Sequence, residues 1–361
     1  MRRKIYIACT LLLSLCGIAT AQKVERYEVA VLTDNRVIYA LPLTKLYLLV
    51  ESEEVHETPG ELALYAERYL GRTDAILEEH TYHHLKGIQM DAYGIPDEQY
   101  RYAIDFSARS NATNVTLSED GILIGINKDI ETLNNGLPTP KQSTAGKTSR
   151  ASSIPLPSEY IQATTTATKA AILADEIYRT RDSKNIVASG ESEQPFADGE
   201  ALRLALKTLD EREQSFTTLF MGSREKTTKQ EVVQGISATE EGKKVVARFS
   251  KQEGLLPADD LRGEPIYLDL KVVEASEEID EHTRKKLEKK LERGIVYRVP
   301  GRVHATISFR GNIVLEKDIA VGQLGSLEAL DMILFKTKGK VTSVELYPHN
   351  GGLKEVKELN E

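Results

Sequence analysis

The chain has 361 residues, 40% of them hydrophobic and 28% charged, and it carries a formal net charge of −8 with no tryptophan. An acidic surface of this kind repels nucleic acid and anionic membranes unless a local basic patch overrides the total. Only 6% of residues are aromatic, so stacking platforms for sugar rings are scarce apart from the 15 tyrosines.

The opening MRRKIYIACTLLLSLCGIATAQ has a basic start (Arg2, Arg3, Lys4), an apolar run from Ile5 to Cys16 and Ala19-Thr20-Ala21 before Gln22. That pattern predicts a secretory signal peptide over 1–21, cut between Ala21 and Gln22. A lipid anchor is disfavoured, because Leu15 precedes Cys16 where a small residue is needed and too little apolar chain precedes Cys9. Both cysteines fall in the removed segment, so the mature chain has no disulfide, thiolate nucleophile or Cys-ligated zinc available. Removing three basic residues leaves 44 basic against 55 acidic, a mature charge near −11. The expectation is an exported bacterial protein of the periplasm or outer membrane, with no transmembrane span in the mature chain.

Residues 22–127 read as an N-terminal β-rich domain with one helix. Val24 to Thr33 and Arg36 to Leu43 flank the turn pair Asp34-Asn35 and predict a hairpin. Leu46 to Val50 is apolar throughout, predicting a strand with neither face in water. Thr58 as N-cap, Pro59 at the first position and Glu61 completing a capping box predict a helix through Leu70, stopped by Gly71. VTLSEDGILIGIN predicts a hairpin turned at Asp120-Gly121.

Residues 128–157, rich in Asn, Pro, Ser and Thr, predict a flexible linker. A helical hairpin follows over 158–222: one helix around Lys169 to Arg181, then another over Gly199 to Phe220, capped by Asp198 and stopped by Gly222. Residues 223–361 read as a C-terminal β-rich domain. There the basic run Thr283 to Arg293, interleaved with Glu288 and Glu292, reads as a solvated helix face. Arg302 to Phe309 and Asn312 to Glu316 predict a hairpin turned at Arg310-Gly311, with Val303, Ala305, Ile307 and Phe309 inward and the polar face around His304 outward. The fold class is therefore α+β and β-rich: two antiparallel β units, sandwich- or barrel-like, joined by a helical hairpin.

The two β units share phrases that suggest an internal duplication. Ile38-Tyr39-Ala40-Leu41-Pro42 parallels Val296-Tyr297-Arg298-Val299-Pro300, and Leu117, Gly121 and Leu123 parallel Leu346, Gly352 and Leu353. Chance matches of this length occur, and proline entering an edge strand is common in β proteins. YALPLTKLYLLV, YAERYLG, FADGEALRLALKTLDEREQSFTTLFMG and GIVYRVPG, in this order, resemble an exported bacterial family known as domain of unknown function 4831. The resemblance runs from about Arg26 to Val356; it implies an envelope location and transfers no reaction, ligand or functional residue.

Signs of chemistry are sparse. EEHTYHH places His80, His83 and His84 within five positions, a weak candidate for a metal site. On a helix the three would share a face; on a strand His80 and His84 sit about 13 Å apart with His83 on the other side. Thr81, Tyr82 and the alternation of Ile88, Met90 and Ala92 favour strand. Ala145-Gly146-Lys147-Thr148 lacks the earlier glycine of a phosphate-binding loop, because that position is Lys141. Ser223-Arg224-Glu225-Lys226 has the spacing of a serine nucleophile with a lysine base but not its companion motifs, and reads as a helix-end loop. Asn111 and Asn114 fit glycosylation spacing and read as polar loop. With no catalytic constellation and no cofactor expected, the leading reading is a non-enzymatic scaffold or binding module whose partner is an envelope protein or polysaccharide. The alternative is a hydrolase of an envelope glycan or peptide using a carboxylate pair that primary sequence hides; a metal enzyme built on the histidine trio trails both.

Overall fold

The computed structural model describes residues 24–26, 36–105, 114–128, 130, 136–143, 154–191, 198–335 and 340–360. The signal segment with its Ala21/Gln22 junction, Asn111 and the Ala145–Thr148 phrase lie outside them.

The first half supplies β1 (Val24–Arg26), β2 (Arg36–Thr58), α1 (Ala66–Leu70), β3 (His80–Asp105), β4 (Val115–Leu117), β5 (Leu123–Ile126) and β6 (Gln142–Ser143). Then come α2 (Ser158–Gln162), α3 (Thr166–Ser189) and α4 (Gly199–Met221). The second half supplies β7 (Ser223–Ser237), β8 (Gly242–Ser250), β9 (Gly254–Leu256), β10 (Glu264–Glu274), α5 (Glu281–Leu291), β11 (Gly294–Phe309), β12 (Asn312–Asp331), β13 (Lys340–Leu346) and β14 (Leu353–Asn360). Three antiparallel sheets result, in the orders β1-β3-β2-β7-β6, β12-β11-β10-β8-β9 and β14-β13-β5-β4.

The first two sheets pack face to face as a sandwich. Their alternating inward residues, Leu46, Leu48, Ile88 and Met90 against Leu268, Val303, Ala305 and Ile307, form one shared core. Each such side chain removed from water contributes about 1.5–3 kcal/mol, so the halves stabilise one another. In the apolar run of β2, Leu46, Leu48 and Val50 are fully buried while Tyr47 and Leu49 are half-buried. A second core lies where the far ends of both long hairpins meet the third sheet, joining Tyr39, Leu41, Ile104, Ile295, Phe335 and Val344. A third belongs to the helices, where Leu62 and Ala66 are buried with Leu173, Ile177, Phe216 and Phe220.

Each long hairpin thus runs through two cores and bends between them at a proline. Pro42 faces Pro96 where the β2–β3 ladder shifts register after Ala40, and Pro300 lies where the β11–β12 ladder shifts between Val299 and Gly301. The short hairpins repeat a turn as well. Ser118 N–H bonds Ile122 O at 2.8 Å and Gly121 N–H bonds Ser118 O at 3.0 Å; Tyr347 N–H bonds Gly352 O and Gly351 N–H bonds Tyr347 O, both at 2.8 Å. The second turn is one residue longer, so Gly351 rather than Gly352 is the counterpart of Gly121, and both glycines have positive φ, 84° and 70°. Two residues before each proline, Ala40 N–H bonds Gly121 O and Arg298 N–H bonds Gly351 O, both at 3.0 Å. The shared phrases therefore sit at shared geometry.

Several local expectations are corrected. β1 pairs with β3, Val24 opposite Ile104, and not with the strand beginning at Arg36. Thr58 is no helix cap: it ends β2 opposite Ser223, because pairing with β7 holds the chain extended through this residue. The helix begins only after a 3-10 turn at Ala63–Tyr65, and Glu61 accepts from the Tyr160 hydroxyl instead of closing a capping box. The same ladder makes Ser223–Lys226 the start of a strand rather than a helix-end loop. Asp198 does cap α4, accepting from Glu200 N and Ala201 N, and Gly71 closes α1 at φ 64°.

Candidate functional site

The histidine phrase leads to a groove at the mouth of the sandwich. Its three histidines begin β3 as a strand, where His80, Tyr82 and His84 share one face, with ring centroids 5.8 and 5.1 Å apart, and His83 takes the other. His83 N–H bonds Lys251 O at 2.7 Å, which draws the turn between β8 and β9 over the end of β3. Gly254, at φ 77°, backs the imidazole so closely that a Cβ there would lie 3.2 Å from His83 Nδ1. That Nδ1 is buried and has no hydrogen-bond partner among the described residues. An unmet buried polar atom is costly, and this one faces Gly254 rather than solvent.

His83 faces a groove of about 500 Å³ at the mouth of the sandwich. Its floor includes Phe249 and Phe309, packed edge to face at 6.4 Å and 89°. The tight turn that ends β11 forms one wall, and it can form because Arg310 and Gly311 adopt φ 53° and 79°. Arg310 is clamped to Glu264 by bonds of 2.6 and 2.7 Å, and this guanidinium holds the Glu264 carboxyl below its usual range. Lys251 places its ammonium 5.2 Å from the Tyr82 ring centroid, and no carboxylate of the described residues pairs with it.

The outer rim is the start of β12, at the edge of its sheet. Ser308 pairs with Ile313 and Ile307 with Leu315, so Val314 is bulged out of the ladder, and both Ile313 and Val314 are exposed. Further along, Lys317 bonds Asp91 of the facing sheet at 2.7 Å; a charge held at an edge discourages strand addition there. The edge is therefore open beside the groove and guarded beyond it.

The other singled-out residues are placed elsewhere. His304 bonds Asp318 at 2.7 Å on the outer face of the second sheet. Ser223 and Lys226 do not form a catalytic pair, since Lys226 reaches Glu53 at 3.3 Å. No group of three His, Cys, Asp or Glu side chains converges among the described residues. A hydrolytic pair needs one carboxyl held above its usual range. Every described carboxyl with a resolved shift goes the other way: Asp74, Asp260 and Glu355 fall to about 2, each held down chiefly by hydrogen bonds from a neighbouring cation, Arg72, Arg262 and Lys128 respectively. Lys128 also joins Glu345 to Glu355, so these two carboxylates share a cation. The groove itself was invisible to sequence reasoning except through His83 and His84, since its other walls come from turns far apart in the chain.

A family model described as a domain of unknown function, DUF4831, matches residues 35–354. No curated protein and no solved structure matches the chain.

Proposed function

The chain belongs to the DUF4831 family, a family of unknown function, and from the groove itself we propose that it is a non-enzymatic binding module of the bacterial envelope. Its ligand on this reading is an extended peptide segment of a partner protein. The observation that carries it is the conjunction of an apolar floor with an adjoining bulged sheet edge. A segment laid along Asn312–Glu316 exchanges backbone hydrogen bonds with β12 and lowers an apolar side chain onto Phe249 and Phe309. The Lys251 ammonium then meets an acidic group flanking that anchor. The short length of open edge limits the contact to a few residues, which suits a reversible partner. Export rests on the N-terminal pattern Arg2–Ala21 and agrees with a chain whose stability needs no disulfide.

The test is a crosslinked pull-down from intact envelopes with the mature chain tagged at its native locus, run beside Val314→Arg and Lys251→Glu. A near-stoichiometric protein partner captured by the wild type and lost by both variants, each with an unchanged melting temperature, supports the reading. A wild-type chain recovered alone and monomeric overturns it.

A further inference from the structure

At the opposite end of the β11–β12 hairpin, the helix α5 segregates its charges. Lys285 bonds Glu281 and Arg284 bonds Glu288 at i, i+4 spacing along one side. Lys286 and Lys289, at i and i+3, follow another side of the helix, and Arg293 continues it from the turn just past the helix end, where its N–H bonds Lys290 O at 3.1 Å. None of these three has a carboxylate partner among the described residues. They converge with Lys290 on a cavity of about 320 Å³ against Gly294, Ala329 and Asp331. Lys290 is already bonded to Glu328, and Asp331 is the one carboxylate among the cavity's described lining residues, so Lys286, Lys289 and Arg293 leave an excess of positive charge there. Packing does not account for this face: α5 buries no residue, and like charges on adjacent turns repel. In a chain of net charge −8, three unpaired cations around a concavity mark a local reversal of the field.

We propose that this face of α5 and the turn after it bind a linear anionic glycan, its carboxylates or sulfates spaced along Lys286, Lys289 and Arg293 with one seated in the cavity. The proposal is independent of the peptide groove. A line of cations fits a chain-like polyanion, whereas a flat anionic bilayer would also press the acidic remainder of the surface against like charge. None of the cavity-lining residues among the described ones is aromatic, so they offer a nucleic-acid base no stacking platform.

The experiment measures binding of fluorescent polygalacturonate oligomers to the full chain by anisotropy at low and high salt. Neutral dextran, phosphatidylglycerol vesicles and a single-stranded DNA oligonucleotide run alongside. The expected result is salt-sensitive binding to polygalacturonate that weakens roughly 100-fold in K286A/K289A/R293A. E281Q/E288Q, altered on the other side of the same helix, is expected to bind equally or more tightly, and circular dichroism checks that both variants remain folded. Unchanged binding in the triple variant, equal loss in both variants, or preference for vesicles or DNA over the glycan overturns the proposal.

Discussion

The two long hairpins carry the same backbone device with different chemistry at its centre. In the β2–β3 hairpin the residue whose N–H reaches the turn glycine is Ala40; in the β11–β12 hairpin it is Arg298. Ala40 needs nothing further. Arg298 is 5% exposed, bonds Asp97 at 2.6 Å and lies 4.9 Å from the Tyr100 ring centroid. Burial pushes its guanidinium below the usual arginine range even with Asp97 opposing. Since Asp97 and Tyr100 belong to β3, the charge of one half is satisfied only by the other. The tyrosines of the repeated phrase diverge in the same way. The Tyr39 hydroxyl donates to Val296 O at 3.0 Å and accepts from Val296 N–H at 2.9 Å, while its counterpart Tyr297 is half-buried near Glu328 and Lys290. The same backbone hydrogen bond is thus kept at both hairpins while the side chains around it differ, and the buried charge of Arg298 is met across the interface by Asp97.

Breaking the asymmetry at its strongest point gives the largest expected effect. Arg298→Ala strands Asp97 and is expected to cost about 3–5 kcal/mol in urea unfolding. The double variant R298M/D97L removes both charges and is expected to be much less destabilised; equal losses would show that the pair is not coupled. Tyr39→Phe leaves both backbone groups of Val296 buried without a partner, an expected loss of about 1–3 kcal/mol. Tyr297→Phe, at the repeated position, is expected to change stability by less than about 0.5 kcal/mol.

A smaller, pH-dependent effect distinguishes the second turn from the first. His349 follows Pro348 in the longer turn, and its carbonyl accepts from Thr44 Oγ1 at 2.9 Å. Burial lowers its pKa, so the unfolded chain binds the proton more readily than the folded one. Stability from this residue is therefore complete above the unfolded histidine range and declines as pH falls below about 6.5. Glu345 and Glu355, also shifted down, lose their contribution only in the carboxylate range at lower pH. Melting temperatures from pH 8 to 5 are expected to slope downward at the acid end, and His349→Gln is expected to flatten that part of the slope. The smallest effect on stability is at the groove: Val314→Arg, exposed on the bulge, is expected to stay within about 0.5 kcal/mol of wild type while removing partner capture.

Much of the architecture could be read from local patterns. Alternation in Val303–Phe309, the turn pairs Asp120-Gly121 and Arg310-Gly311, and the Asp198 cap each depend on residues within a few positions of one another. The strand character of His80–His84 was legible for the same reason. Thr58–Glu61 misleads because a good capping pattern competes with a ladder to Ser223 that is 165 positions away in the chain. The partner of β1 was equally hidden, since hairpin chemistry is local and pairing with β3 is not. Of the candidate site, only His83 and His84 could be suspected in advance; Phe249, Lys251, Phe309 and Val314 carry no shared motif.

The amino-acid sequence alone determined the antiparallel, β-rich character of this protein, its helical pair and its family, because periodicity, turns and caps are decided by near neighbours. The face-to-face packing of the two halves, the Arg298–Asp97 pair, the groove at His83 and the one-signed face of α5 were decided by tertiary structure. Their energies come from burying apolar area and charge against residues remote in the chain, and no local pattern specifies which remote residues those will be.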